Sequence, residues 1–175
     1  KEEAAQREAD ETRDNSGYHE SAHYGWASSG DGSRSRDELR ALDLLGFQSQ
    51  LMFNTFHNRR LRDWEHCGDL DLAYGAAEAH NRGMTEFCSV DRRLLSTCFV
   101  PLADFDRAAA ATARAIAMGA AAILVSSSCP PGHSPSHRGL DPVWRQIDEA
   151  DIPVVFHVGG TGDLINHDYV LNGLP

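Results

Sequence analysis

The sequence lacks a surplus of basic residues, a paired cysteine motif and an uninterrupted apolar run of membrane-spanning length. Lys and Arg number 16 against 26 Asp and Glu, a formal net charge of −10. Neutralising a phosphate backbone takes clustered Lys and Arg, and no such cluster stands in this sequence, so nucleic acid is not an expected partner and anionic membrane surfaces are disfavoured. Cys67, Cys88, Cys98 and Cys129 are widely separated with no CxxC pair. That usage fits free thiols in a reducing cytoplasm better than a disulfide scaffold. The opening Lys-Glu-Glu-Ala-Ala-Gln-Arg-Glu has no apolar segment of the kind a signal peptide needs. The longest apolar stretch, residues 108–125, carries Arg114 and Gly119, and a helix followed by a buried strand accounts for it better than a membrane span.

What is present is ordinary globular material: 175 residues, 41% hydrophobic and 24% charged, enough for one folded domain. Residues 1–36 form a polar extension, read as a short exposed helix and a flexible Ser/Gly-rich linker with Tyr18, Tyr24 and Trp26 as anchors. From residue 37 helical periodicity alternates with short apolar runs, the signature of βα units. Leu39, Leu42 and Leu45 mark a helix ended by Gly46, and residues 49–56 read as a strand. Asp69 or Asp71 caps a second helix with a predicted face of Leu72, Ala76, Ala79 or His80, Gly83 and Phe87. Residues 94–102 form a strand. Asp104 caps a helix whose predicted face is Phe105, Ala109, Thr112 and Ile116, stopped by Gly119. Residues 120–125 make a strand covered on both faces. A long loop, 126–140, precedes a helix opened by Asp141-Pro142, with Trp144 and Ile147 on its apolar side. Residues 152–160 form the last strand. Such a series closes either as an open doubly wound sheet or as a barrel.

His157 stands out. On a strand it shares a face with Val155 and Gly159, near the C-terminal end where sites in such folds gather. A lone strand histidine is also an ordinary core residue, held by hydrogen bonds. The following Gly159-Gly160-Thr161-Gly162 exposes backbone but lacks the Lys of a phosphate-binding loop, so a tight turn is its plain role.

The segments Leu42-Asp-Leu-Leu-Gly-Phe-Gln-Ser-Gln-Leu-Met-Phe-Asn-Thr-Phe56, Asp71-Leu-Ala-Tyr74 with His80-Asn81, Val100-Pro-Leu102, Leu140-Asp-Pro-Val-Trp144 and Ile152-Pro-Val-Val-Phe-His-Val-Gly-Gly160 together resemble the amidohydrolase-related family. The branch is that of aminocarboxymuconate-semialdehyde decarboxylase, and the likeness runs over residues 37–175. It implies an α/β fold, a (β/α)8 TIM barrel of the metal-dependent hydrolase type, of which about strands 2 to 5 are present. It further implies that His157 is a metal-site histidine on strand five, for a divalent ion, zinc or else manganese. The family's His-x-His pair, strand-six histidine and strand-eight aspartate have no counterpart, and His19 and His23 do not replace them. The chain is therefore expected to be part of a longer protein. No catalytic residue is assigned.

Weaker candidates surround this reading. Asn54, Thr55 and His57 follow the first strand and can reach the barrel mouth, with Arg59, Arg60 and Arg62 just beyond as cations for a substrate carboxylate. A solvated loop is the plainer reading of that stretch. In Cys129-Pro-Pro-Gly-His-Ser-Pro-Ser-His137, Pro135 forbids a regular helical metal pair, so His133 and His137 are read as pocket-lining residues, with Arg138 beside them as a partner for a carboxylate. The substrate-binding candidates are thus Asn54, His57, His133, His137 and Arg138. No Gly-x-Ser-x-Gly turn is present, against serine hydrolase chemistry. The expectation is a hydrolase or non-oxidative decarboxylase acting on a small carboxylic acid, with the oligomeric state open and a homo-oligomer among the options. The alternative is a non-catalytic barrel remnant serving as an interaction or structural subunit.

Overall fold

The computed structural model describes residues 34–53, 58–157 and 167–173. The expectations for the extension up to residue 33, for His19 and His23, for Asn54, Thr55 and His57, and for the turn at 159–162 lie outside the described residues. The elements in order are α1 (Arg34–Leu45), β1 (Gln50–Met52), α2 (Asn58–Glu65), α3 (Leu70–Cys88), β2 (Leu94–Phe99), α4 (Phe105–Ala117), β3 (Ala122–Ser126), a 3-10 turn (Arg138–Leu140), α5 (Asp141–Glu149), β4 (Val154–His157) and a second 3-10 turn (His167–Val170).

Two compact units divide the chain: Lys1–Gln50 with Val90–Leu94, and Leu51–Ser89 with Leu95–Pro175. In the first, α1 ends at Gly46, whose φ of 73° suits a residue without a Cβ. The Phe47 amide closes the end on the Leu42 carbonyl at 2.9 Å. Arg93 pairs with Asp43 at 2.6 Å, and its carbonyl accepts from the Gln50 amide.

The four strands lie in the order β1-β2-β3-β4, parallel, and form a curled half-barrel. Strand periodicity sorts their side chains onto two faces. Cys98, Val100, Ile123, Val125 and Val154 fall in one apolar cluster with Ala108, Ala111 and Ala115 of α4 and Val143 and Ile147 of α5. Phe99, Leu124 and Val155 fall in a second with Leu61, Ala77 and Phe53. All five residues of β3 are buried, as a strand flanked by strands and covered on both faces requires. The alanines of α4 let its backbone sit close to the sheet, and each fully buried Leu, Ile or Val contributes about 1.5–3 kcal/mol.

Helix ends follow local chemistry. Asp69 caps α3 by accepting the Leu72 amide at 3.0 Å, and Asp104 caps α4 through the Arg107 amide at 2.9 Å. Gly119, with φ 89°, follows the end of α4. At α5 the expected Asp141 cap is corrected: Leu140 holds that position without a side-chain bond, and Asp141 sits in the first turn. The 3-10 turn before it runs straight into the helix, so His137 instead caps the pair, its Nδ1 accepting the Gly139 amide at 2.9 Å.

Three further expectations are corrected, the last in part. Residues 58–65, read as a solvated loop, form α2. The buried stripe of α3 is Ala73, Tyr74, Ala77, Asn81 and Cys88, about one residue round from the predicted one, and Leu72 is exposed. Tyr74 and Asn81 belong to the buried side because their polar groups serve backbone. The Tyr74 hydroxyl donates to the carbonyls of Pro101 and Asp104, both at 3.0 Å. The Asn81 amide donates to the Phe99 carbonyl at 2.8 Å and accepts the Phe99 amide at 2.7 Å. β1 ends at Met52, and Asn81 takes the place of a neighbouring strand on that edge of β2. The expected face of α4 is corrected in part: Thr112 is buried, together with Ala108, Ala111 and Ala115.

Replacing Asn81 by Leu keeps the volume but leaves both Phe99 backbone groups unpaired in the core. A loss of about 3 kcal/mol is expected, read from urea unfolding midpoints; a loss under about 1 kcal/mol would show that Asn81 does not carry this edge.

Candidate functional site

The helix that sequence periodicity passed over carries one wall of the site. On α2, Asn58, Leu61, Arg62 and Glu65 fall at i, i+3, i+4 and i+7, hence on one face. Leu61 and Glu65 are buried, whereas Asn58 and Arg62 line a cleft with Phe99, Leu124, Val125, Ser126, Ser127 and His157. The cleft is shallow and partly open to solvent. Its floor is the C-terminal end of the strands: Ser126 is the register partner of His157, and Leu124 that of Val155. The Phe53 ring leans on the His157 imidazole at 5.4 Å and 48°.

Among the described residues, three polar atoms here are buried without a hydrogen-bond partner: Nδ1 of His157 and both side-chain atoms of Asn58. Native interiors rarely leave such groups unpaired, so atoms of this kind mark a place for a ligand or water. Among the described residues no group of three His, Cys, Asp or Glu side chains gathers to hold a metal ion. His157 is the one such donor in the cleft lining.

Behind the cleft, α2 is held at its far end. One Glu65 oxygen accepts the Leu102 amide at 2.5 Å, and the other has no partner among the described residues. Burial pushes this carboxyl up from its ordinary 4.5 to about 7, against the opposing pull of the Leu102 amide and of His66. The His66 ring spans the Arg62 carbonyl at 2.9 Å and the Cys129 carbonyl at 2.8 Å, tying the loop after β3 to α2.

The loop histidines lie elsewhere. His133 and His137 pack on Phe105, both with ring centroids at 4.7 Å, the first edge-on and the second stacked. His133 Nε2 faces the Leu102 carbonyl at 3.0 Å, and burial holds its pKa below the usual histidine range. Gly139 is required beside them, since a Cβ there would stand 2.7 Å from the Phe105 ring. Arg138 is exposed, with its amide bonded to the Asn172 carbonyl at 2.9 Å. None of the three lines the His157 cleft. Arg62, one of three arginines noted in the sequence, does; Arg59 and Arg60 point to solvent. Asn58 is the cleft residue that sequence reasoning missed, and its only signal was the four-residue spacing to Arg62. Cys98 is buried, its thiol pushed up to about 12 by desolvation, which makes it an inert core residue.

A family model described as amidohydrolase matches residues 39–172. The chain is similar to the crystal structure of an amidohydrolase from Mycobacterium avium subsp. paratuberculosis K-10, with 28% identity and a TM-score of 0.67 over 73% of this chain and 34% of that one. It also resembles two structures of 5-carboxyvanillate decarboxylase from Novosphingobium aromaticivorans, both holding manganese and a methoxy-hydroxy-nitrobenzoic acid. Those are 18% and 19% identical, with TM-scores of 0.58 and 0.59, over 85% and 87% of this chain and 47% and 45% of theirs; at that identity the likeness concerns the fold. No curated protein matches. The chain thus spans between a third and a half of the length of these structures.

The Glu65 carboxyl generates a pH prediction. With its folded pKa near 7, above the ordinary 4.5, its contribution to stability is fully present below pH 4.5 and is lost as pH rises through 7. The loss amounts to about 3 kcal/mol. Glu65→Gln keeps an acceptor for the Leu102 amide and is expected to remove this pH dependence, so that it unfolds at higher urea than the parent at pH 8 but not at pH 4. Parallel stability profiles for the two proteins would refute the assignment.

Proposed function

Because the chain belongs to the amidohydrolase family, we propose that the complete protein is a metal-dependent hydrolase or non-oxidative carboxy-lyase acting on a small carboxylic acid. The observation that carries the reading is the unpartnered Nδ1 of His157, buried at the C-terminal end of β4 in a cleft. An imidazole so placed suits a divalent ion, and its Nδ1 has no hydrogen-bond partner among the described residues to give up. His157 would hold the ion as one ligand of several. The other ligands are not among the described residues of this cleft. Zinc or manganese suits a histidine donor, and manganese is the ion held by the decarboxylase of similar fold.

A bound ion would supply Lewis-acid polarisation of a substrate oxygen or an acidified water. The chain's own residues do the rest. Phe53 restricts rotation of the imidazole, which keeps Nδ1 directed. Phe99 and Leu124 form an apolar wall, which lowers the local dielectric and strengthens polar contacts inside the cleft. Ser126, opposite His157 in the ladder, offers a hydroxyl at the same level. The nitrobenzoic acid held by the related fold supports a carboxylic acid as substrate, and release of carbon dioxide against hydrolysis separates the two chemistries.

His157→Ala in the complete protein is expected to lower bound divalent metal and turnover together, by about tenfold or more, as read by elemental analysis and by carbon dioxide release. Metal content and turnover both equal to the parent's would overturn the proposal and favour a non-catalytic barrel.

A further inference from the structure

We propose that Arg62 and Asn58 form an anion subsite that takes the carboxylate of a flat, apolar-bodied acid in front of His157. The inference rests on the functional reading above for its choice of substrate, but its evidence is separate. Arg62 is largely withdrawn from solvent, its side chain 18% exposed, and its one ion-pair partner among the described residues is Asp63, at 3.1 Å through Nη2. Asp63 is itself 46% exposed and also lies 3.9 Å from Arg59, so it engages Arg62 from the solvent side. A guanidinium carries five N–H donors in a planar fork. Among the described residues, one contact to Asp63 leaves the greater part of that fork without a partner beside the cleft.

Asn58, one turn earlier, is the second observation. Its Nδ2 and Oδ1 are both buried and both without partners, so the cost of desolvating an amide is met by nothing in the described chain. A carboxylate in the cleft would accept from Nδ2 and from Arg62 together. Charge-assisted bonds of this kind are the strong ones, and an arginine fork matches a carboxylate's two oxygens. The apolar wall of Phe99 and Leu124 suits the flat body of such an acid. The result is a positioning pair on α2: the acid's charged end is held there while its body lies against the strands that carry His157.

The test uses benzoate and its neutral isostere benzamide, titrated into EDTA-treated protein and followed by NMR of backbone amides and arginine side chains. Benzoate is expected to bind at least about tenfold more tightly than benzamide. Arg62→Gln should abolish that preference while leaving benzamide binding unchanged. Asp63→Asn, on the exposed side, removes the competing carboxylate and should tighten benzoate about threefold. Equal benzoate affinity in the parent and in Arg62→Gln overturns the subsite, as does absence of benzoate binding to the parent. Since the titration is done without metal, failure of the metal reading leaves these outcomes unaltered, and Arg62-independent benzoate binding overturns the subsite alone.

Discussion

Ser126 faces His157 because Leu124 faces Val155 and Phe99 faces Leu124, and this parallel register across three strands is the constraint from which the site follows. Side chains alternate along a strand, so a slip of one residue in β4 would turn His157 out of the cleft and send the half-exposed Phe156 into it. Burial on both faces of β3 resists that slip. One face keeps Ile123 and Val125 against the helices, the other keeps Leu124 against Leu61, and either would exchange places with the other only by breaking both packings.

The edge of β2 depends on a different device. A strand that loses its neighbour before its own end exposes backbone groups, and Asn81 supplies both partners that Phe99 lacks. Tyr74 does the same for the chain just beyond, at Pro101 and Asp104. Glu65, from α2, serves Leu102. Three polar side chains on two helices thus satisfy the backbone where the sheet gives way to the loop. The cleft lies at that transition because the ladder no longer uses every group there.

That same transition explains where sequence reasoning stopped. Strands β2 and β3, the Asp69 and Asp104 caps, the Gly119 stop and the placing of His157 on a strand follow from periodicity and from turn and cap chemistry, which act over a few residues. The buried stripe of α3 lies off the predicted face because Tyr74 and Asn81 are buried for their hydrogen bonds to backbone. Likewise α2 has only Leu61 and Trp64 as large apolar residues, too few to show a helical period, and Arg62 reads as part of a solvated loop.

Residue type and short spacing were enough to fix the alternation of helices and strands, the acidic character, and the presence of an imidazole near a strand's C-terminal end. Tertiary structure alone decided that Asn58 and Arg62 share a cleft with His157 while His133 and His137 pack on Phe105. Those outcomes depend on which backbone groups remain unpaired after the sheet has formed, and that is settled by contacts between residues tens of positions apart.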